Sequence, residues 1–292
     1  MGMLKMLALV MTLFMLGSST AWAAQEITVA SMVELLNNIG SDRTIYLTPG
    51  IYKLDAATGF TSRNAKNTYA RSMHITGVNN LKIIAAEQAR TQLLSPYSDS
   101  DVLFIKDCKN IELRNFSIGH VQRPKGCEGD SLHIERSENI KMDNMDIYGC
   151  GQNGLTLENV GLLEVKDSYI HHCTYAVLDM TDVWSSKFIN TKFVHDGSLS
   201  VMETRGSIQG LEFHDCQFAV DPTRKVFLPK GDVLEYAAKH SLMGERYDNK
   251  WWDKQVILFQ DCTFTNINSL EIDQLRTKGI MFKNYQIKSK GY

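Results

Sequence analysis

Four charged residues are spaced so that they could carry out acid–base chemistry on one surface: Glu158, Asp179, Glu203 and Arg205. The acids lie in short segments in which apolar and polar residues alternate. If these segments are strands stacked about 4.8 Å apart, the Glu158 and Asp179 carboxylates lie roughly 8 Å from each other and those of Asp179 and Glu203 about 5 Å. Carboxylate pairs of inverting and retaining glycoside hydrolases have these separations. We therefore predict that the four residues form a catalytic group.

Arg205 adds a second type of chemistry to this surface. Its guanidinium can grip a sugar carboxylate with two hydrogen bonds. It can instead assist removal of the proton next to that carboxylate, while a neighbouring group stabilises the enolate. The alternative is that charged residues on a repetitive surface are merely solvated and have no function.

Further candidates for binding lie nearby in the sequence. Asp130, His133 and Glu135 belong to the stretch Gly129–Glu135, and the side chains of His133 and Glu135 are expected to face outward beside the acids. His172 and His195 recur 23 residues apart, next to Cys173 and near Cys150, which lies 23 residues before Cys173. Such a cluster is either a zinc site or a structural turn with stacked cysteines, free or bridged. We predict no cofactor, with calcium or zinc as the alternative.

Two adjacent tryptophans, Trp251 and Trp252, complete the set of candidate substrate-binding residues. Their rings could stack on sugars, but large aromatic side chains more often anchor a segment onto a core. Packing is therefore the favoured interpretation.

A repeat of about 23 residues is the feature that would bring these residues together. Seven segments of alternating apolar residues close on Ile118, Ile147, Ile170, Phe193, Phe218, Phe264 and Ile287, at spacings of 29, 23, 23, 25, 46 and 23 residues. Asn or Asp stands three positions before each closing residue, and these types tolerate a left-handed backbone. Short strands returning at a fixed period are typical of a parallel β-helix. We predict an all-β, right-handed parallel β-helix.

Two segments depart from the repeat. Ser31 to Gly40 has the pattern of a short helix, with Ser31 and Glu34 as a capping box, and it would cover the open end of the first coil. Residues 221–254 fall in the 46-residue interval, and their capping box at Asp232–Glu235 predicts a helical insertion. This stretch is either a distorted coil or an excursion from the stack.

The first 23 residues have the pattern of a cleaved signal peptide: Lys5, an apolar run and Ala21-Trp22-Ala23. We expect residues 24–292 to form a single domain in the periplasm or outside the cell. No later segment resembles a membrane span. With 31 Lys and Arg against 33 Asp and Glu and no basic stripe, nucleic acid is not an expected partner. With 43% hydrophobic and 22% charged residues, the composition excludes a disordered chain.

The coil length, the Asn ladder, the cap helix and the opening Thr48-Pro49-Gly50-Ile51-Tyr52 resemble those of the pectin-lyase-like family of right-handed parallel β-helix proteins. The resemblance implies this fold and a polysaccharide ligand bound in a groove. Gly129-Asp130-Ser131 followed by Gly151-Gln152-Asn153-Gly154 is similar in layout to polygalacturonase-type hydrolases, but Ser131 and Asn153 replace two of their catalytic residues. The expectation is a polysaccharide-binding protein that cleaves glycosidic bonds as a hydrolase or lyase. A non-catalytic binding or structural β-helix is the alternative.

Overall fold

A computed structural model describes residues 24–68, 71–97, 99–121, 128–149, 152–195, 200–220, 225–227, 235–237, 242–243, 256–267, 269–277 and 279–288. Within these residues the strands stack in parallel as coils of a right-handed β-helix, which confirms the predicted fold. The predicted signal peptide lies outside the described residues.

Two long sheets make up the coils. The larger contains β1 (Gln25–Val29), β2 (Arg43–Leu47), β4 (Ala65–Thr68), β5 (Ser72–Thr76), β6 (Asn79–Ala85), β8 (Leu103–Lys106), β9 (Lys109–Arg114), β11 (Leu132–Asp143), β13 (Asn153–Gly161), β14 (Glu164–Lys166), β16 (Ala176–Ile189), β18 (Ser200–His214), β22 (Ile257–Gln260) and β24 (Met281–Lys283). The second contains β3 (Gly50–Lys53), β7 (Thr91–Ser95), β10 (Ser117–His120), β12 (Asp146–Tyr148), β15 (Tyr169–His171), β17 (Lys192–His195), β19 (Gln217–Val220), β23 (Thr263–Thr265) and β25 (Gln286–Lys288). Strand β4 alone runs antiparallel in the larger sheet, against β5.

Aliphatic and aromatic side chains fill the interior in continuous rows. The predicted closing residues pair directly from coil to coil, as in Ile147 with Ile170 and Phe193 with Phe218. Near the C-terminal end, the Phe188, Phe213 and Phe259 rings stack with centroids 5.0 and 4.9 Å apart. These buried rows join the coils because each ring contacts its counterpart in the next turn.

Asn and Asp side chains mark the corners between strands. The predicted ladder has a left-handed backbone at every described position, for example φ 47° at Asn190 and 48° at Asp167. Asn190 Nδ2 donates to Asp167 Oδ1 at 2.6 Å, so the ladder is also bonded from coil to coil. Its period keeps the strands in register, and this register places the functional side chains.

One helix packs against the first coil, and a second helix lies in the chain between the last two described coils. Helix α1 (Met32–Asn38) begins at Ser31, whose hydroxyl accepts the Glu34 amide at 3.2 Å, as the capping box predicts. Helix α2 (Ser269–Thr277) was not predicted. Its Glu271 Oε1 accepts the amides of Leu242 and Met243 at 2.8 and 3.0 Å, and so satisfies backbone donors beside Met202. Two 3₁₀ turns occupy Leu54–Ala57 and Gln88–Arg90.

The 46-residue interval holds one coil and an excursion. Phe218 pairs with Phe264 in adjacent strands, so no further coil lies between them. The predicted helix is wrong at Glu235–Ala237, which forms strand β21, antiparallel to β20 (Lys225–Phe227). Val226, Phe227 and Tyr236 are residue types that favour strands, and backbone pairing overrides the local capping signal. The other residues of 221–254, except Leu242 and Met243, lie outside the described part of the chain.

Candidate functional site

The outward-facing residues of six neighbouring strands form a surface that we call the front face. Register pairing aligns two rows along it: His74, Phe104, His133, Thr156, Asp179 and Glu203 in the first, and Thr76, Lys106, Glu135, Glu158, Thr181 and Arg205 in the second. Apolar residues between them, such as Leu157 and Met180, are fully buried. The alternation required by a pleated strand therefore puts the predicted polar residues on one surface.

The sequence did not fix the register of Glu203 and Arg205, because the closing residues Phe193 and Phe218 are 25 residues apart instead of 23. The structure absorbs one extra residue before Ser200 and a second beside Gly206, where the register shifts between Thr181 and Val183. Gly206 has φ 65°, and an added Cβ would lie 2.3 Å from Asp182 Oδ1. Glu203 and Arg205 therefore keep their places in the two rows.

At the centre of the front face, His133 is held by a carboxylate that the sequence did not single out. Asp101 Oδ2 lies 3.3 Å from His133 Nδ1, and Asp101 Oδ1 accepts the Asp130 amide at 2.8 Å. This arrangement fixes the imidazole ring with Nε2 pointing away from Asp101. Asp101 precedes Leu103 by the same two positions by which Asp130 precedes Leu132, so the repeat offset was the signal that could have found it.

Asp130 is buried beneath His133 and fully engaged by protein donors. Its Oδ1 accepts the backbone amide and the side-chain amide of Asn153 at 3.0 and 3.2 Å, and its Oδ2 accepts the Thr156 hydroxyl at 2.5 Å. Burial, and then the negative charge of Asp101, raises the pKa of Asp130 to about 6. Asn153, which replaces a histidine of the polygalacturonase-like layout, thus orients this carboxyl group.

The electrostatic surroundings of His133 favour its protonated form. Burial by itself lowers the pKa of the imidazole, but the hydrogen bond to Asp101 and the charges of Asp101, Asp130 and Glu158 outweigh it, so the pKa of His133 is raised. His133 Nε2 lies 3.9 Å from Glu158 Oε1, and no protein acceptor in the described residues hydrogen-bonds to it. His133 Nε2 is buried, and an imidazole held by one carboxylate at one nitrogen and placed beside a second carboxylate at the other is suited to proton transfer.

The other predicted catalytic residues lie along the same face. Arg205 Nη2 donates to both Asp179 oxygens at 2.7 Å. The guanidinium that was predicted to bind a sugar carboxylate therefore binds a carboxylate of the protein itself. Asp179 is 4% exposed and Glu203 is 3% exposed, in register with each other. Glu158 is the most accessible of the three acids, with 41% of its side chain exposed.

The remaining predicted binding residues are more dispersed. Glu135 lies in the second row, 3.0 Å from Lys106 and in contact with Arg136. His172 follows β15 and contacts the His171 ring. His195 is the last residue of β17, and both of its ring nitrogens are buried. Both histidines therefore lie outside the front-face rows. Trp251 and Trp252 lie outside the described residues.

One group of metal-ligand type emerges from the described residues. The ligand atoms of Asp101, Asp130 and His133 all lie within 4.8 Å of one another. Their oxygens already accept protein donors, so calcium or zinc would have to replace these hydrogen bonds. The predicted alternative at the His/Cys turn forms no such group among the described residues; Cys150 lies outside them, and Cys173 Sγ donates to the His171 carbonyl at 3.3 Å.

No protein-family model matches this chain, and no curated protein sequence does. Similar solved structures include Escherichia coli YbhC, with 8% identity over 92% of this chain and 85% of that one and a TM-score of 0.54. An alginate lyase from Paenibacillus sp. str. FPU-7 has 11% identity over 83% and 88% of the two chains (TM-score 0.46). A pectate lyase from Paenibacillus sp. 0602 has 9% identity over 85% and 72% (TM-score 0.46).

The chain is a right-handed parallel β-helix protein of the pectin-lyase-like fold. At these identities the likeness to solved structures extends to the fold, and the activity has to be argued from the front face itself. No helix in the described part of the chain has the length and apolar character needed to cross a bilayer.

Proposed function

We propose that this protein binds a polysaccharide along the front face and cleaves its glycosidic bonds, with His133 transferring the proton. The observation that carries the proposal is the Asp101–His133 pair, in which the buried Nε2 atom of His133 lies 3.9 Å from Glu158 Oε1. The imidazole of His133 and the carboxylate of Glu158, which can exchange a proton, therefore lie next to each other on the front face. Both hydrolysis and β-elimination need such a pair beside the scissile bond.

The neighbouring residues supply binding and positioning in this proposal. Phe104 packs edge-to-face between the rings of His74 and His133, at 5.0 and 4.8 Å, and offers an apolar wall next to the proton-transfer site. On the other side, Arg205, with 35% of its side chain exposed, provides a polar group for sugar hydroxyls, while Asp179 and Glu203 are buried beside it. A catalytic role for Asp179 or Glu203 stays a prediction, and Asp179→Asn tests it because it should stop turnover and spare binding.

The experiment is a turnover screen of the purified protein on neutral, amino-sugar and uronate polysaccharides. New reducing ends and the ultraviolet absorbance of unsaturated uronate are followed together, so that hydrolysis and elimination are distinguished. We expect His133→Asn to lower turnover by about 10²–10⁴-fold, the usual contribution of a general acid or base. His214→Asn is the matched control, since His214 also pairs with a carboxylate, Glu212 at 2.9 Å, but away from the front face.

Full activity in His133→Asn would refute the role of His133. Binding of a polysaccharide without any turnover would favour the alternative, a non-catalytic binding protein. Neither binding nor turnover across the panel would refute the proposed function as a whole.

A further inference from the structure

The front face carries an excess of negative charge that its own cations do not balance. In the described residues, the two rows, the turn positions beside them and the adjoining strand β4 hold eight carboxylates (Asp101, Asp107, Asp130, Glu135, Glu158, Asp179, Asp182 and Glu203) against four Lys or Arg side chains (Lys66, Lys106, Arg136 and Arg205). His133 adds at most one positive charge. An anionic ligand therefore meets a repulsive field along this surface.

Lys66 lies on β4 at the end of the face, separated from Glu158 by strands β5, β8 and β11, whereas the three cations nearer to His133 and Glu158 are each held by a protein carboxylate. Arg205 donates to both oxygens of Asp179, and Lys106 lies 3.0 Å from Glu135. Arg136 donates through Nε and Nη2 to the two oxygens of Asp107, at 2.8 and 2.9 Å. A sugar carboxylate would have to displace one of these pairs, and would leave the displaced protein carboxylate without its partner.

A bridging calcium ion is the other way in which an acidic surface can hold an acidic sugar. Calcium needs six to eight oxygen ligands, largely from carboxylates. Here Asp101, Asp130, Asp179 and Glu135 already accept donors from the protein, as described above. Building a calcium site from them would break several of these contacts, so the arrangement does not favour a bridging ion.

We infer that the front face selects a polysaccharide without acidic groups, and that it binds a chain of cationic amino sugars more tightly than a neutral one. This inference rests on the proposed function and specifies its substrate class. Glu158, exposed and with no Lys or Arg partner in the described residues, is positioned to meet an ammonium group. The Phe104 wall is compatible with the uncharged faces of the sugar rings.

The test compares three classes of oligosaccharide on matched backbones: glucosamine, glucose and glucuronate oligomers of equal length and linkage, each set made in more than one linkage. Dissociation constants are measured by calorimetry with the His133→Asn protein, so that no ligand is consumed, with added Ca²⁺ and with chelator. We expect the glucosamine oligomer to bind at least about tenfold more tightly than the glucuronate oligomer, and the difference to shrink as salt is raised.

Two charge variants separate this surface from the rest of the molecule. Thr181→Lys adds a cation within the second row, and Gln217→Lys adds one on β19 in the other sheet. Thr181→Lys should reduce the preference for the glucosamine oligomer over the glucuronate oligomer by about three- to tenfold. Gln217→Lys should leave this preference unchanged. Uronate binding equal to or tighter than neutral binding, with or without Ca²⁺, overturns the inference and leaves the proposed function standing. Absence of binding by every class refutes both.

Discussion

At the scale of single residues, the pair formed by Asp101 and His133 sets the pH at which the proposed site works. If His133 acts as a base, it must be unprotonated, and its raised pKa means that kcat/KM falls as the pH drops through that value. Asp101→Asn removes the charge that holds the pKa up. We expect the acidic limb of the pH profile to move to lower pH in this variant, measured as kcat/KM against pH.

His214→Asn serves as the control for this shift and should keep the wild-type profile. An acidic limb that stays in place in Asp101→Asn would mean that another group governs the limb. Asp130, whose pKa is about 6, is then the next residue to test.

His195 couples the stability of the fold to pH. It is fully buried, neither ring nitrogen has a hydrogen-bond partner among the residues that the structure describes, and burial lowers its pKa to about 4. The neutral form is favoured in the folded state, so the stabilisation is complete above the unfolded pKa of about 6.5 and is lost as the pH falls towards 4. We expect this residue to account for a loss of about 3 kcal/mol in the free energy of unfolding across that range.

Urea unfolding measured at pH 7 and pH 4 checks this, with His195→Leu as the comparison. His195→Leu should lose the decrease in the free energy of unfolding that we assign to His195, whereas His214→Leu should retain it. Equal pH dependence in the wild type and in His195→Leu would contradict the assignment.

The sequence was informative about His133 and Glu158 because the repeat fixes which side chains face outward, whereas Asp130 was a candidate only through its resemblance to the polygalacturonase-like layout. It could not reveal that Arg205 pairs with Asp179, because two extra residues loosen the register there. Asp101 escaped notice because it lies outside the strand pattern and acts through contacts between coils. A residue's row follows from periodicity, but its partner depends on three-dimensional placement.

At the scale of the elements, the turns show why the Asn and Asp ladder could be predicted and other left-handed turn positions could not. Asn and Asp fill the predicted ladder, but left-handed positions elsewhere hold Arg136, Leu162 and Ser185, with φ of 45°, 55° and 47°. These residue types do not signal such a backbone. The same limit applies to β20 and β21, where a capping pattern suggested a helix and backbone pairing produced a hairpin.

Close packing between coils makes one glycine sensitive to substitution. A Cβ at Gly161 would lie 2.1–2.5 Å from the Trp184 indole, which covers it in the next coil. We expect Gly161→Ala to lower the free energy of unfolding by about 1–3 kcal/mol, because the indole or the strand must shift.

Gly50→Ala is the matched control for this prediction, since no atom lies within 4 Å of the added Cβ and its φ is not in the left-handed region. Denaturant unfolding of both variants provides the measurement. Equal stability of the two would show that Trp184 yields without cost. Restoration of stability in Gly161→Ala with Trp184→Ala would identify the clash as the cause.

At the scale of the whole molecule, the 46-residue interval predicts that the excursion is dispensable for the fold. Phe218 and Phe264 already pair in adjacent strands, and Met202 pairs with Met243. Replacing residues 221–241 by a short turn from Val220 to Leu242 should keep far-ultraviolet circular dichroism and cooperative thermal unfolding. Loss of the cooperative transition would mean that the stack depends on the excursion.

The stacking of the coils also determines how the molecule comes apart. Each coil is bonded to the coils on either side, so central coils have two neighbours and terminal coils have one. Unfolding then begins at the terminal coils and proceeds towards the central ones. His133, Thr156 and Asp179 lie several coils from either margin. The geometry proposed for proton transfer should therefore be among the last parts of the protein to be lost.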